Sequence, residues 1–190
     1  MSSLTLHERQ LPMRVEIKAR ADLTDDESMA LTNLSHAVYP PDEEFDDGAS
    51  QIQWSGSMWR VLLWDDNEEL VTHIGMLTRY GLCDKASVLI GGMGGVHTHP
   101  KSRRKGYAGI ALGHAAKFLR DEQHVDFSLL VCRDGLIPYY ARFGWQCFVG
   151  EMLVQQESGQ VKFTYNKPMV LAGNKPVPEC DVIDLCGKPW

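Results

Sequence analysis

The sequence has 190 residues, of which 44% are apolar and 23% are charged, a composition typical of a globular domain with a full hydrophobic core. The formal net charge of −6 disfavours general nucleic-acid binding, which needs a basic surface, and is compatible with a cationic small-molecule partner. No apolar run approaches the roughly 20 residues that cross a bilayer, and residues 1–14 lack the apolar core of a signal peptide, so we expect a cytoplasmic protein without a membrane partner.

The first predicted elements are a strand and a capped helix. Residues 13–19 alternate between apolar and polar side chains, which favours a half-buried strand. A helix is predicted to begin after Thr24, which forms a capping box with Glu27, and to end at Tyr39 before two prolines. An acidic loop follows, and a short helix is expected around residues 49–57.

The middle of the chain reads as three strands, a long helix and a buried strand. The first two strands, residues 59–64 and 70–80, are joined by an Asp-Asp-Asn turn. The third strand, residues 88–98, contains four glycines. A helix is predicted from about residue 103 to residue 122, and the apolar run at residues 127–132 predicts a short buried strand.

The last third of the chain contains a short helix and several strands. The helix is predicted over residues 136–143 and ends at Gly144. Further strands are predicted at residues 145–155, 161–165, 169–171 and 182–185.

This order of elements predicts an α/β (α+β) fold. A strand, a long crossover helix and a second buried strand favour a parallel pair, whereas the flanking hairpins favour antiparallel pairing. We therefore expect a mixed, mostly antiparallel central sheet flanked by about four helices. The chain shows no repeat or linker that would divide it, so residues 1–190 are expected to form one domain, with a core at about residues 13–165 and a tail at 166–190.

The cysteines favour a reduced protein. They are odd in number and form no C-x-x-C pair, so we expect free thiols and neither a disulfide framework nor a zinc site. Pairing of Cys180 with Cys186 in the tail stays open, because spacing alone does not test it.

The segment THPKSRRKGYA, residues 98–108, carries the strongest local signal. Its four cations are Lys101, Arg103, Arg104 and Lys105. Cations are unfavourable at a helix N-terminus, so their presence favours a bound anion there, and Gly106 and Ala108 would let a bulky ligand approach the backbone amides. A pyrophosphate is the natural candidate, and a solvated basic helix start is the alternative.

Other phosphate-binding motifs are not present. The chain contains no G-x-x-x-x-G-K-[ST] sequence, so a P-loop is excluded. Gly92 and Gly94 are followed by His97 at the position of the third glycine of a dinucleotide-binding motif, and they lie within a strand.

Two segments resemble the signatures of the GNAT acetyltransferases. Residues 103–108, RRKGYA, resemble the R/Q-x-x-G-x-G/A signature, and residues 96–100, VHTHP, resemble the strand and loop that precede it. Residues 138–145, PYYARFGW, resemble the second signature, a tyrosine four residues before a Gly-aromatic pair. The resemblance implies a GNAT-like fold whose parallel pair lies at the cofactor site.

The resemblance also implies an acyl-CoA-dependent N-acyltransferase that uses acetyl-CoA and no metal. Main-chain groups of Val96 and Thr98 would pair with the pantetheine arm. The pyrophosphate would be bound by Arg103, Arg104, Lys105, Gly106, Tyr107 and Ala108. Tyr140 would be the general acid that protonates the departing thiolate, because a phenol with a pKa near ~10 is protonated at neutral pH. The alternative for Tyr140 is a core aromatic residue, a role that Tyr139 would fill equally well.

The base that deprotonates the incoming ammonium is less obvious. Many GNAT enzymes carry a glutamate on the strand before the cofactor loop, but this strand offers His97 and His99, which share one face. Either would act through water, since an unperturbed histidine titrates near ~6.5, and a structural role is the alternative for each. A His-x-His metal site lacks further ligands, and a covalent role for Cys132 lacks an activating base.

A narrower resemblance links the chain to the aminoglycoside 2′-N-acetyltransferases. It rests on the pattern from Tyr140 to Trp145 and on a tail that ends in Trp190, and it implies an antibiotic-resistance enzyme acting on a cationic acceptor. The acceptor would be bound by Trp190 and by an acidic loop that contains Asp42, Glu43, Glu44, Asp46 and Asp47. The acidic residue of the family's central strand falls near Gly94, and Lys188-Pro189 stands beside the final tryptophan.

Several functions stay open at this point. If the acceptor is not an aminoglycoside, the alternatives are a polyamine, an amino sugar and a protein amine. A protein that binds acyl-CoA as a sensor without turnover is a further alternative, since the strand lacks its carboxylate. A homodimer is also open, because late strands and tails often form dimer contacts in this fold.

Overall fold

The structure, a computed structural model, describes residues 13–41 and 48–190. Within these residues the strands, numbered in chain order, are β1 Arg14–Ala19, β2 Trp59–Trp64, β3 Leu70–Cys83, β4 Ala86–Thr98, β5 Phe127–Cys132, β6 Gln146–Cys147, β7 Glu151–Gln156, β8 Gly159–Lys162, β9 Lys167–Ala172 and β10 Val182–Asp184. The α-helices are α1 Asp25–Val38, α2 Tyr107–Asp121 and α3 Ile137–Ala141. Single 3-10 turns lie at Arg20–Asp22, Ala49–Gln51, Pro100–Ser102 and Asp134–Leu136.

The start of α1 is set by the predicted capping box. The hydroxyl of Thr24 accepts from the amide of Glu27 at 3.2 Å, and the Glu27 carboxylate accepts from the amide of Thr24 at 2.9 Å. The same carboxylate pairs with Lys18 of β1. The cap therefore attaches the first turn of the helix to the edge of the sheet.

One mixed sheet contains all ten strands. Its main path runs β6-β9-β5-β4-β3-β10-β7-β8, and β2 pairs with both β3 and β1. The pairs β4–β5 and β7–β10 are parallel, and the other pairs are antiparallel. The predicted mixed, mostly antiparallel sheet is therefore confirmed. Three α-helices lie in the described part of the chain, one fewer than expected, because the segment around residues 49–57 contains only the 3-10 turn.

The core has two main parts. A cluster under α2 contains Ala111, Leu112, Ala115 and Leu119 packed on strand residues such as Ile74. The second cluster lies on strands β3, β4, β5, β7 and β9 and includes Trp190. No helix in the described ranges is long and apolar enough to cross a membrane.

Helix α2 begins four residues later than predicted. Arg104 and Gly106 have φ of +63° and +86°, which a right-handed helix cannot contain. The helix therefore starts at Tyr107, and the basic residues from Arg103 to Lys105 lie in the loop that leads to it, which corrects their predicted place in the first turn.

The strand predicted at residues 145–155 is two strands. β6 pairs with β9 near one end of the sheet, and β7 pairs with β10 and β8 near the other. The sequence reads as one strand because the buried Trp145 and Phe148 lead into the buried positions of β7, but both residues of β6 are exposed and the chain crosses between the two halves of the sheet after Cys147.

The segment after residue 165 belongs to the core. β9 lies between β5 and β6, and β10 lies between β3 and β7. The expected core boundary at residue 165 is therefore too early, because the strands that follow it supply interior pairings.

The prediction that the cysteines are free thiols is wrong for one pair. Cys83, at the end of β3, is disulfide-bonded to Cys180. β10 pairs with the end of β3, with Ile183 opposite Cys83, so the residues that precede β10 come close to that end. Cys186 lies beyond β10 as a free, exposed thiol and does not pair with Cys180.

Trp190 packs against the glycines of β4. A Cβ added to Gly92 would lie 2.3 Å from Cε2 of Trp190, and one added to Gly94 would lie 2.9 Å from its main-chain carbonyl carbon. The indole Nε1 donates to the carbonyl oxygen of Leu129 at 3.0 Å, so the ring is held in place. The glycine run in β4 is therefore the space that this tryptophan fills.

Gly92→Ala should destabilise the protein by about 1–3 kcal/mol, because a buried ring held by a hydrogen bond must move to admit the methyl group. Gly113→Ala is the control, since nothing lies within 4 Å of its added Cβ and alanine favours the helix by roughly 0.5–1 kcal/mol. Urea denaturation measures both changes. Equal stability of the Gly92 variant and the wild type would contradict this packing.

Candidate functional site

The site begins where β4 and β5 separate. Their parallel pairing covers only Ile90–Gly92 and Phe127–Leu129. From Met93 to Thr98, the edge of β4 that faces β5 has no ladder partner in the described chain. Its backbone N–H and C=O groups are therefore open to an extended ligand that adds itself as a strand.

A cavity of about 720 Å³ fills this opening. It is lined by strand residues of β4 and β5 and by side chains from α3 and the tail. They include Gly92, Gly94, Val96, His97, Leu130, Cys132, Tyr140 and Trp190. The divergence of two strands thus creates a binding volume in the middle of the sheet.

A bulge in β4 lies at the cavity. Gly75 pairs with Gly94 and His73 pairs with His97, so β4 carries one residue more than β3 between these pairs. Gly95 lies in the bulge with a φ of +57°, a value that suits glycine. The bulge sets the side chains of His73 and His97 beside each other, with 6.0 Å between their ring centroids.

Burial keeps both histidines neutral. Burial, with smaller effects of Arg60 and His97, lowers the pKa of His73 to about 3, against a hydrogen bond to the backbone of Gly95. Burial, and then Arg60, also lowers the pKa of His97. At neutral pH each imidazole is therefore uncharged and keeps a lone pair on one nitrogen that is able to accept a hydrogen bond.

Sequence reasoning missed His73 and Arg60. His73 Nε2 lies 2.8 Å from a terminal nitrogen of Arg60, which projects from β2. The available signal was His73 itself, a titratable residue that follows Thr72 inside the largely apolar start of β3. Arg60 gave no comparable signal, because arginine is common on half-exposed strands.

Tyr140 is buried in the wall of the cavity. It is 6% exposed, and burial, with smaller effects of Cys132 and Tyr139, raises the pKa of its phenol above the ordinary value. The side chain is therefore protonated at neutral pH. Tyr139 packs edge-on against Tyr140 at 5.4 Å between centroids and is absent from the cavity lining.

Cys132 also lines the cavity but is unsuited to covalent catalysis. Burial, with smaller effects of Cys147 and Asp134, raises the pKa of its thiol to about 11. Its sulfur lies 3.5 Å from the sulfur of Met169, so no base in this contact would remove the proton.

The basic loop between β4 and α2 is an exposed turn. The guanidinium of Arg103 donates to the carbonyl oxygen of Thr98 at 3.3 Å, whereas Lys101, Arg104 and Lys105 point to solvent. Gly106 is the N-cap of α2 without a side-chain cap, and nothing lies within 4 Å of its added Cβ. The first amides of α2 and the loop cations are thus arranged to bind an anionic group such as a pyrophosphate.

The other predicted site residues lie as follows. His99 is absent from the cavity lining, and its Nδ1 accepts from the amide of Lys101 at 3.3 Å. Trp190 lines the cavity, with the Arg79 guanidinium 5.5 Å from its ring centre. The predicted acceptor residues Asp42, Glu43, Glu44, Asp46 and Asp47 lie outside the described residues. Within residues 13–41 and 48–190, no three His, Cys, Asp or Glu residues gather to hold a metal.

A mixed sheet opened at a parallel pair, with a buried phenol on one wall and a basic turn at its end, defines a coenzyme-dependent group-transfer fold. The sequence model of the acetyltransferase (GNAT) domain matches residues 21–148, more than half of the chain, so the chain belongs to the GNAT acetyltransferase family. No curated protein matches the sequence.

Solved structures agree on the fold. A GNAT-family N-acetyltransferase from Escherichia coli in complex with CoA has a TM-score of 0.62 at 12% identity, covering 92% of this chain and 90% of its own. An acyl-CoA N-acyltransferase from Pseudomonas aeruginosa has a TM-score of 0.59 at 19% identity, covering 85% of this chain and 100% of its own. A GNAT-family acetyltransferase from Brucella melitensis in complex with acetyl-CoA has a TM-score of 0.55 at 16% identity, covering 90% and 94%.

The free energy of unfolding should fall as the pH is lowered from 6.5 to 5. Because the folded-state pKa of His73 and that of His97 lie below 6.5, the unfolded chain binds protons in this range that the folded chain does not. His73→Gln should reduce the slope by up to about 1.4 kcal/mol per pH unit. His114→Gln, at an exposed position of α2, is the control in urea denaturation at each pH. An unchanged slope in the His73 variant would refute its neutral burial.

The basic turn should be required for coenzyme binding. Arg103→Glu combined with Gly106→Glu places two carboxylates where the anion would lie, so the Kd for CoA should rise by at least about 100-fold. The left-handed φ at residue 106 should cost about 1–2 kcal/mol of stability, which leaves the fold intact by circular dichroism. Lys117→Glu, on the exposed side of α2, should leave the Kd unchanged by calorimetry. CoA affinity that survives the double substitution would contradict the assignment.

Proposed function

We propose that this protein is an acetyl-CoA-dependent N-acetyltransferase that acylates a small-molecule primary amine by direct attack. The observation that carries the proposal is the buried, protonated phenol of Tyr140 in the opening between β4 and β5. Family membership supports the reaction class, and the open edge of β4 supports the binding mode.

The coenzyme would lie along the open edge of β4. Main-chain groups of Val96 and Thr98 are free of ladder partners toward β5 and suit the amides of a pantetheine arm. The turn from Arg103 to Gly106 and the first residues of α2, Tyr107 and Ala108, suit the pyrophosphate. In this binding mode the thioester would lie in the cavity near Tyr140.

Three proton transfers complete the reaction. His97 lines the cavity as a neutral imidazole and accepts the first proton of the acceptor ammonium through water. The amine nitrogen then forms a bond to the thioester carbonyl carbon and the carbon–sulfur bond breaks. Tyr140 donates its proton to the departing thiolate, and the second proton of the attacking nitrogen returns to the phenolate, which leaves a neutral amide and a free thiol.

The assignment of an aminoglycoside as the acceptor has less structural support than the assignment of the reaction. Trp190 lines the cavity, as that assignment requires, but the acidic loop lies outside the described residues. No aspartate or glutamate among the described residues lines the cavity. Support from charge for a polycationic acceptor therefore comes from the sequence of residues 42–47 alone.

The test is acetyl-CoA turnover with a panel of amines, read as release of free thiol. The panel contains aminoglycosides, polyamines, amino sugars and amino acids. Turnover with any amine supports the proposal, and turnover with an aminoglycoside supports the finer assignment. Acetyl-CoA that binds without turnover on any amine would instead favour a non-catalytic acyl-CoA sensor.

Tyr140→Phe should lower kcat by at least about 100-fold and leave the Kd for acetyl-CoA unchanged, because only the donated proton is removed. Tyr139→Phe is the matched control, since that neighbouring phenol is absent from the cavity lining. Single-turnover rates measured near neutral pH isolate the chemical step. Equal rates for the two variants would overturn the role of Tyr140.

A further inference from the structure

Two cavities meet at one group of side chains. The first is the opening between β4 and β5, and the second is a cavity of about 450 Å³ between α1 and the sheet. Both are lined by Arg60, His73 and His97. Because Tyr140 lines the first cavity together with Arg60, one molecule can contact both residues. These three side chains therefore stand where an acceptor would reach beyond the reacting amine.

The charged side chains around this junction are all positive. The second cavity is also lined by Arg20, whose positive charge lowers the pKa of Arg60 after the larger effect of burial. None of the described residues that line either cavity is an aspartate or a glutamate, although the main-chain carboxyl group of Trp190 lies against Gly94 in the first cavity. The side chains of the second cavity and of the junction therefore carry positive charge only, whereas the whole chain has a formal net charge of −6. Such side chains attract an anion and repel a polycation.

The guanidinium of Arg60 has donors left to offer. A guanidinium carries five N–H donors, and one terminal nitrogen of Arg60 is held at 2.8 Å by Nε2 of His73. Its Nε is buried and has no hydrogen-bond partner among the described residues. A planar carboxylate can accept two parallel hydrogen bonds from the two terminal nitrogens, because His73 contacts only one of them and each carries two N–H groups.

His73 fits the role of a positioning residue. It is 5% exposed, lies next to the bulge at Gly95, and presents a lone pair to Arg60 as a neutral imidazole. The guanidinium is therefore held in a fixed orientation before any ligand binds, which reduces the entropy lost on binding.

We propose that Arg60, oriented by His73, binds a carboxylate of the acceptor, so that the amine acetylated by this protein is one that also carries a carboxylate. This inference rests on the proposed acetyltransferase function and names its substrate class. It is the rival of the aminoglycoside assignment, because aminoglycosides carry several ammonium groups and no carboxylate.

The experiment uses acceptors in matched pairs that differ only in charge. The pairs are glycine and glycinamide, β-alanine and β-alaninamide, and 4-aminobutyrate and its amide, with O-phosphoethanolamine and an aminoglycoside added. Acceptors of three chain lengths are used because the distance between Arg60 and the reacting amine decides which acid fits. We expect kcat/KM of the acid to exceed that of the amide at least tenfold for one length.

Variants then assign the effect to Arg60. Arg60→Gln should raise the KM of the preferred acid at least tenfold, with little change in kcat and no change for the amide. Arg60→Lys should restore part of the preference, because it keeps the charge and loses the bidentate geometry. Lys117→Gln, which removes an exposed charge on α2, is the control and should behave like the wild type.

The outcomes that would overturn the carboxylate inference differ from those that would overturn the acetyltransferase proposal. Equal or better turnover of the amide, the phosphate or the aminoglycoside would overturn the inference and leave the acetyltransferase proposal standing. An equal loss for acid and amide in Arg60→Gln would also overturn it. If circular dichroism shows that Arg60→Gln does not fold, the ratio of kcat/KM for the acid to kcat/KM for the amide in the wild-type protein decides the test.

A failure of the acetyltransferase proposal itself would be visible separately. If no amine is acetylated, calorimetry with the N-acetylated acids and the N-acetylated amides measures the subsite without turnover. At least tenfold tighter binding of one acid, lost in Arg60→Gln, supports the carboxylate subsite. Equal affinities of acid and amide at every length overturn it.

Discussion

The separation of β4 from β5 is the constraint on which the rest of the site depends. The two strands pair over three residues only, and the sheet then opens around a cavity. The opening is kept by packing, because Trp190 lies against Gly92 and Gly94 with its indole bonded to Leu129. Trp190 thus occupies the space that a side chain on this part of β4 would need. That packing explains why this part of β4 carries glycines.

In the proposed mechanism, burial in the walls of this opening sets the protonation states of the acid and the base. The same loss of water raises the pKa of Tyr140 and lowers the pKa of His97, because in each case burial disfavours the charged form. The phenol therefore holds a proton and the imidazole is able to take one at the same pH. No strand carboxylate is required for this division of roles, and a thiol with a pKa of about 11 at Cys132 leaves direct attack by the amine as the simpler route.

Local charge in the site differs from the charge of the whole chain. The formal net charge of −6 favours cationic partners at long range, but specificity depends on the few groups that touch the ligand. The charged side chains among the described residues that line the two cavities are arginines, with Arg60 beside the neutral His73 at their junction. The composition of the chain therefore predicted the opposite sign from the described walls, since acidic side chains elsewhere dominate the sum.

The sequence by itself determined the elements and the family, because those depend on local patterns: the capping box at Thr24, the strand periodicity, and the two signatures ending at Ala108 and Trp145. It also assigned Tyr140 to the second signature, but the cavity that this side chain lines is visible only in the structure. Only the tertiary structure decided that His73 stands opposite His97, since one extra residue in the β4 bulge changes every pairing after it. Contacts between residues far apart in the chain, such as Trp190 with β4 or Cys83 with Cys180, likewise follow from strand order and packing, which local sequence does not encode.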